Sequence, residues 1–209
     1  MPKLSIRTLS LLASVVILGL YTVRQYVEKS LTPPQLAGTV LEPQAKIGDF
    51  KLATSSGAPF TKEQLLRKWT VLSLGFTHCP DVCPTTLAYF RDEINALPAD
   101  TRKDVQFVFV SVDPERDTPE RLESFVKSFH PEVIAVTGEL TELNNLAAIF
   151  KAYFKKEAPM AEGLYNLAHS PQYFLINPEG QWQVLYTPPM GKGTLAIDLG
   201  QLHDRRGSM

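Results

Sequence analysis

The sequence predicts an α/β domain built on a mixed β-sheet with helices on both faces. Apolar segments typical of buried strands alternate with segments whose apolar residues recur every three or four positions, and a strand hairpin and a last helix follow. Sheets of this kind bind ligands at the carboxyl ends of their strands. The 209 residues, 44% hydrophobic and 21% charged, suffice for one such domain plus an appendage.

The first residues of the chain indicate a membrane anchor. Lys3 and Arg7 precede an uncharged run from Leu9 to Val23, and Arg24 follows it. The region after the run lacks the small residues of a signal-peptide cleavage site, so we predict an uncleaved anchor over residues 1–27. Basic residues ahead of the run predict a single-pass protein of the inner (cytoplasmic) membrane, with its domain on the periplasmic side.

An extended linker and then the folded domain are expected after the anchor. Residues 28–44 carry three prolines and a glycine among polar residues, a composition typical of a tether. The domain is expected over residues 45–205. Linker and domain together cover residues 28–205.

Residues typical of helix ends, together with the spacing of apolar residues, predict the helices and strands of the domain. Thr61 followed by Gln64 predicts a capping box that opens a short helix to Lys68, and Thr118-Pro119-Glu120 predicts the start of another helix. Residues 155–168 show no clear period and are expected to form a mobile loop. The predicted strands are 50–53, 58–60, 71–76, 105–112, 133–136, 173–176 and 181–186, and the other predicted helices are 84–97, 141–153 and 194–202.

Charge and cysteine content exclude several classes of function. The formal net charge is −1, from 21 basic and 22 acidic residues, so no overall field favours nucleic acid, and we expect no nucleic-acid partner. Two cysteines are too few for a disulfide scaffold. Chemistry is therefore the better explanation for the two cysteines.

The most informative motif places Cys79 and Cys83 four positions apart, between a predicted strand and a predicted helix. Residues at this spacing on a helix lie on one face, so both sulfurs can reach one point outside its first turn. The N-terminus of a helix stabilises a thiolate, and Pro80 and Pro84 stiffen the loop. Such a pair can bind a soft metal or close into a disulfide.

Three separated motifs resemble the Sco (SenC) family over residues 46–197: the cysteine segment, Ser111–Pro119, and His169 ahead of a strand that ends in Asn177–Gly180. Proteins of this family are thioredoxin-like, membrane-anchored copper proteins that serve assembly of the binuclear copper site of cytochrome c oxidase. The resemblance implies a thioredoxin-like sheet. It also implies copper, as Cu(I) or Cu(II), on a cysteine pair and a histidine.

By the same resemblance, Cys79, Cys83 and His169 are the copper ligands. The copper-site subunit of the oxidase is the implied client, and periplasmic copper carriers or thiol reductants are further implied partners. Many family members carry an acid before the ligand histidine, where this chain has Ala168. We expect the irregular loop before His169 to gate the site by docking.

Other interpretations stay open at the level of sequence. Cys79 and Cys83 could instead cycle between dithiol and disulfide as the redox pair of a thiol-disulfide oxidoreductase, although the spacing exceeds the usual C-x-x-C. A peroxiredoxin-like peroxidase would need an arginine that sequence does not place. His78 is an alternative ligand, and Asp113 and Asp117 are either turn residues or supports of the site.

Overall fold

The computed structural model describes residues 6–31, 34–158 and 165–207. Helix α1 occupies Ile6–Leu31. Within the described ranges, no helix combines the length and apolar character needed to cross a membrane. The anchor over residues 1–27 stays a prediction.

Strands and helices alternate along most of the described chain. The strands are β1 (Thr39–Lys46), β2 (Leu52–Thr54), β3 (Pro59–Phe60), β4 (Trp69–Gly75), β5 (Val105–Ser111), β6 (Ile134–Thr137), β7 (Phe154–Lys156), β8 (Leu167–His169), β9 (Tyr173–Ile176) and β10 (Gln181–Tyr186). After α1, the helices are α2 (Val82–Ala96), α3 (Ala99–Lys103), α4 (Pro119–Lys127), α5 (Leu140–Ile149) and α6 (Thr194–Arg206), with a 3-10 helix at Lys62–Leu65.

The predicted mixed sheet is confirmed. Among the described residues, eight strands form one sheet in the order β1-β10-β9-β4-β5-β6-β2-β3, and β7 pairs with β8 in a separate hairpin. Strand β4 is parallel to β5, and β5 is parallel to β6. Gly75 at the end of β4 is paired with Ser111 at the end of β5. The loops that follow these two strands therefore leave the sheet at the same edge.

The centre of the sheet is covered on both faces. Every residue of β4 and of β9 is buried, as expected for central strands with packing on either side. Phe90 of α2 packs against Phe107 of β5 and Tyr173 of β9, with ring centroids 5.0 and 5.2 Å apart. Each such side chain contributes about 1.5–3 kcal/mol by its burial. The core thus fixes the strand ends that carry the cysteine loop.

Two sequence expectations need correction. Residues 39–44, assigned to the linker, belong to β1, which pairs with β10. An edge strand is largely exposed and tolerates a proline, so its composition resembles that of a tether. The expected mobile loop over residues 155–168 contains most of the β7–β8 hairpin, whose three-residue strands are too short to show a period. Residues 159–164 of that loop lie outside the described ranges.

Candidate metal centre

The cysteine loop begins where β4 comes very close to its neighbours. A Cβ atom at Gly75 would lie 2.5 Å from the Phe109 ring and 2.9 Å from the Cys83 sulfur. A side chain at this position would have to displace one of them. Glycine therefore lets the end of the strand pass directly beneath the sulfur.

The two cysteines have different environments. Cys83 lies in the first turn of α2 and is 1% exposed, whereas Cys79 lies in the loop and is partly buried. The Cys83 N–H donates to the Cys79 sulfur at 3.4 Å, and the Phe76 N–H donates to the Cys83 sulfur at 3.4 Å. The backbone of the loop and of the helix start thus orients both sulfurs.

The structure brings His169 to this pair from the end of β8. Its Nε2 lies 3.5 Å from the Cys83 sulfur, and its ring meets the Phe76 ring edge-on at 5.8 Å. The His169 Nδ1 lies 3.1 Å from the Ser170 carbonyl oxygen. Because a carbonyl oxygen only accepts, Nδ1 carries the hydrogen, and Nε2 of the neutral ring keeps a lone pair for a metal.

The geometry of the three donors fits a single metal ion. The sulfurs of Cys79 and Cys83 and a ring nitrogen of His169 all lie within 4.8 Å of one another. Donors bound at about 2.0–2.3 Å to one ion in a plane lie about 3.5–4 Å apart. Small side-chain adjustments would therefore complete a three-ligand site.

Hydrogen bonding makes the two thiols chemically unequal. The Cys83 side chain donates to the Cys79 sulfur, and together with the N–H groups of Asp81 and Cys83 it lowers the pKa of Cys79 to about 5. The contact with Cys79 and the burial of Cys83 raise the pKa of Cys83. At neutral pH the pair therefore holds one thiolate, at the more accessible position.

Alkylation of Cys79 in the reduced, metal-free chain should follow this pKa. The rate should rise with pH through about pH 5 and then level off, because only the thiolate reacts and it forms as pH rises through the pKa. Cys83 should stay largely unmodified. Peptide mass spectrometry after iodoacetamide pulses from about pH 4 to pH 9 measures both rates.

The Cys83→Ala variant is the control for this alkylation profile. It removes the contact that lowers the pKa of Cys79 most, so the midpoint should move up toward the ordinary thiol value of about 8.5. A midpoint near that value already in the wild-type chain would contradict the proposed asymmetry.

A buried carboxylate holds the residue that precedes the cysteine loop. Asp117 is 1% exposed and accepts from the Thr77 N–H at 2.8 Å, the Thr77 hydroxyl at 2.6 Å and the Ser111 hydroxyl at 2.6 Å. Arg121 donates to the Thr77 hydroxyl at 2.8 Å. The loop after β5 thereby fixes the start of the loop after β4.

The structure places His78 away from the three converging donors. His78 is exposed and shares a second cluster with Asp113 and Asp117. Its Nδ1 lies 3.5 Å from Asp117 Oδ1. Ala168 lies opposite Lys155 in the β7–β8 hairpin. Asp117 accepts hydrogen bonds from Thr77, and Asp113 forms an ion pair with Arg116 in the loop after β5.

Sequence reasoning gave no role to Thr77, Arg116 or Tyr165. Arg116 donates to Asp113 at 2.6 Å and to the Tyr165 carbonyl oxygen at 2.9 Å. The available signal was an arginine between acids in the Ser111–Pro119 motif. Its partner Tyr165 lies 49 positions away, a separation that no local pattern reveals.

Comparison with known proteins gives a consistent result. The profile described as SCO1/SenC matches residues 39–203. A curated relative, "Protein SCO1 homolog 1, mitochondrial" of Arabidopsis thaliana, is 37% identical over 139 residues, which are 66% of this chain and 41% of that protein. The chain therefore spans less than half the length of this relative.

Solved structures of similar proteins share the fold. The crystal structure of Arabidopsis thaliana ScoI with copper bound has a TM-score of 0.69 and 33% sequence identity to this chain. The matched region covers 77% of this chain and 99% of the ScoI chain. The solution structure of apo Sco1 from Thermus thermophilus has a TM-score of 0.71 and 32% sequence identity, and the matched region covers 81% of this chain and 96% of the Sco1 chain. The similarity extends over nearly the whole of each solved domain.

Proposed function

This chain belongs to the SCO1/SenC family, and we propose that it binds copper through Cys79, Cys83 and His169 and delivers it to the binuclear copper site of cytochrome c oxidase during assembly. The observation that carries the proposal is the convergence of two sulfurs and one imidazole nitrogen, brought from the cysteine loop, the start of α2 and the end of β8 to within 4.8 Å of one another. A similar solved protein, ScoI of Arabidopsis thaliana, holds copper.

The donor set suits copper in either oxidation state. Thiolates are soft ligands that favour Cu(I), and imidazole binds both Cu(I) and Cu(II). Cys79 is already a thiolate at neutral pH, whereas Cys83 has to release its proton when it binds. Loading should therefore release a proton and weaken as pH falls.

We place the copper-binding domain outside the cytoplasm. Residues 1–27 would attach the chain to the inner membrane, with the domain on the periplasmic side. Periplasmic copper carriers would supply the metal, thiol reductants would keep the sulfurs reduced, and the copper-site subunit of the oxidase would receive the metal. The charge pattern around the uncharged N-terminal run supports this orientation.

A second function, reduction of client disulfides, is favoured by the inequality of the two thiols. The Cys79 thiolate would attack a client disulfide, form a mixed disulfide and release one client thiolate. Cys83, losing its proton, would then attack the Cys79 sulfur and release the second client thiolate. The client gains two electrons, and a Cys79–Cys83 disulfide remains. The buried position of Cys83 next to the accessible Cys79 suits this order.

Transfer to an isolated copper-site domain of an oxidase subunit tests the proposal. The reduced full chain is loaded with Cu(I) and mixed with the metal-free, reduced client, and copper is then measured in each protein after separation. Copper should move to the client. Retention of all copper by the chain would overturn the delivery function.

A parallel mixture without copper tests the second function. It contains the oxidised client and the reduced chain, and client thiols are counted over time. New client thiols, with matching loss of thiols from the chain, would support reductase activity. An unchanged thiol count would exclude that activity for this client.

A further inference from the structure

The hairpin that carries His169 has no backbone pairing with the main sheet among the described residues. In the described residues, β7 and β8 pair only with each other and lie outside the eight-stranded sheet. A cavity of about 540 Å³ lies between the hairpin and the residues that begin α5, with Lys155 and Leu167 on one side and Leu140 and Asn144 on the other. Side-chain contacts therefore hold the hairpin in place, among them the burial of Leu167 in the core.

A salt-bridged arginine contacts Tyr165, in the connection between β7 and β8. The Arg116 Nη1 donates to the Tyr165 carbonyl oxygen at 2.9 Å, and the guanidinium carbon lies 3.5 Å from the centre of the Tyr165 ring. The Arg116 Nε donates to Asp113 at 2.6 Å. The Tyr165 hydroxyl donates to the same carboxylate at 2.7 Å. These contacts connect the loop after β5 with the segment that enters β8.

The hairpin contributes a second cation to this arrangement. Lys156 of β7 lies 3.7 Å from the centre of the Tyr165 ring and forms an ion pair with Glu115 at 2.9 Å. The side chains of this pair are about half exposed or more, and exposed ion pairs contribute little to stability. Arg116, whose side chain is only 16% exposed, is the stronger of the two anchors.

Arg116 also lies close to the metal centre. Its guanidinium carbon is 5.9 Å from the centre of the Phe76 ring, and that ring meets the His169 imidazole edge-on at 5.8 Å. Phe76 thus packs between the arginine and the histidine. A substitution of Arg116 would therefore affect His169 in two ways. It would remove the contact with Tyr165, four residues before His169, and it would change the packing of Phe76 against the His169 ring.

The partial burial of Arg116 has one unfavourable and one favourable consequence. Its Nη2 is buried and has no hydrogen-bond partner among the described residues. A buried donor without a partner is unfavourable. The same guanidinium pairs with the buried carboxylate of Asp113, which an apolar side chain at this position would leave without its cation.

We propose that Arg116, together with Asp113 and Tyr165, is a latch that positions His169 beside the cysteines. Arg116 is a positioning residue and does not contact the metal. With the latch closed, the site presents three donors. With the latch open, the sulfurs stay on α2 and its loop while the imidazole moves away with the hairpin. This proposal adds a positioning residue to the proposed copper site, and it rests on the proposed function, in which His169 is a copper ligand.

A double-mutant cycle in the full chain tests whether Arg116 acts through His169. Cu(I) affinity is measured by chelator competition for wild type, Arg116→Gln, His169→Ala and the double variant. Arg116→Gln should weaken binding by about 10–100-fold in the wild-type background, as for residues that orient metal ligands. In the His169→Ala background it should have no further effect. An equal loss in both backgrounds, or no loss in either, would overturn the latch.

Matched variants guard against a general loss of structure. Arg102→Gln removes another arginine that is paired with a carboxylate, Glu132, and should leave copper affinity unchanged. Tyr165→Phe removes only the hydroxyl that donates to Asp113 and should give a smaller loss of the same kind. If Arg116→Gln does not fold, Tyr165→Phe takes its place in the double-mutant cycle. A loss of copper affinity that occurs only when His169 is present supports the latch. No loss of affinity in either background rejects it.

Hydrogen exchange of the metal-free chain separates this inference from the copper proposal. Arg116→Gln should speed exchange at residues 167–169 and leave β4 protected, whether or not the chain binds copper. Unchanged exchange at residues 167–169 would reject the latch. A His169→Ala variant that binds copper as tightly as wild type would reject the ligand role, while the exchange result would still report on the latch.

Discussion

Replacing Cys83 by alanine should lower the affinity of the reduced chain for Cu(I) by about 100–1000-fold. Metal sites with four protein ligands contribute about 10–16 kcal/mol, or about 3 kcal/mol for each ligand, which corresponds to this factor. The buried Cys83 sulfur lies 3.5 Å from the His169 Nε2 and is central to the cluster. Competition with a chromophoric Cu(I) chelator measures the loss.

The same titration distinguishes the three-ligand site from its alternatives. His169→Ala should cause a loss of similar size, whereas His78→Ala should change the affinity less than about twofold, because His78 lies with Asp113 and Asp117. Copper affinity that is indifferent to both Cys83→Ala and His169→Ala would refute the copper site. A loss on Cys83→Ala alone would reduce the site to the two sulfurs.

Replacing Asp117 by alanine should lower the free energy of unfolding by about 3–5 kcal/mol. The substitution leaves the Thr77 N–H and the Ser111 hydroxyl buried without their acceptor, and each such group costs about 1–3 kcal/mol. It also frees the Thr77 hydroxyl from the carboxylate, next to the cysteine loop. Urea unfolding followed by circular dichroism measures the change in free energy.

Two further variants are compared with Asp117→Ala for their effect on the free energy of unfolding. Asp117→Asn keeps one carbonyl acceptor in nearly the same volume and should lose less than the alanine variant. Asp100→Ala removes an exposed carboxylate, 87% accessible and paired with Lys103, and should leave the free energy of unfolding nearly unchanged. A loss at Asp117→Ala no larger than that at Asp100→Ala would show that the buried network does not stabilise the loops.

Much of the fold follows from signals that are local in sequence. Thr61 and Gln64 form the predicted capping box, and Thr118 accepts from the Arg121 N–H as the predicted N-cap. The predicted strands 173–176 and 181–186 have the observed bounds of β9 and β10. Apolar runs and end signals are sufficient here, because tertiary packing agrees with local preference.

The elements that escaped prediction lack such signals. Helix α3 has five residues, Ala99–Lys103, and no apolar face. Strand β1 is mostly exposed, and its place in the sheet depends on pairing with β10. The strands of the β7–β8 hairpin have three residues each, and Arg116, which comes earlier in the chain, donates to Tyr165 just before β8. In each case the determining contacts are distant in sequence.

Only part of the candidate site could be predicted from the residues themselves. The spacing of Cys79 and Cys83 indicates a paired thiol site from chemistry alone, but His169 entered only through resemblance to a family. The structure brings it 3.5 Å from Cys83. The latch formed by Asp113, Arg116 and Tyr165 has no local signature, because it joins a loop to a segment about 50 residues downstream.

The 86 positions between Cys83 and His169 have a thermodynamic consequence. Only the folded chain holds these two side chains together, so an ion bound to all the proposed ligands binds the native state and not the unfolded one. Above the dissociation constant, each tenfold rise in free copper then adds about 1.4 kcal/mol to the free energy of unfolding. Resistance to proteolysis follows that free energy. The lifetime of the chain in its compartment is thereby tied to the copper supply.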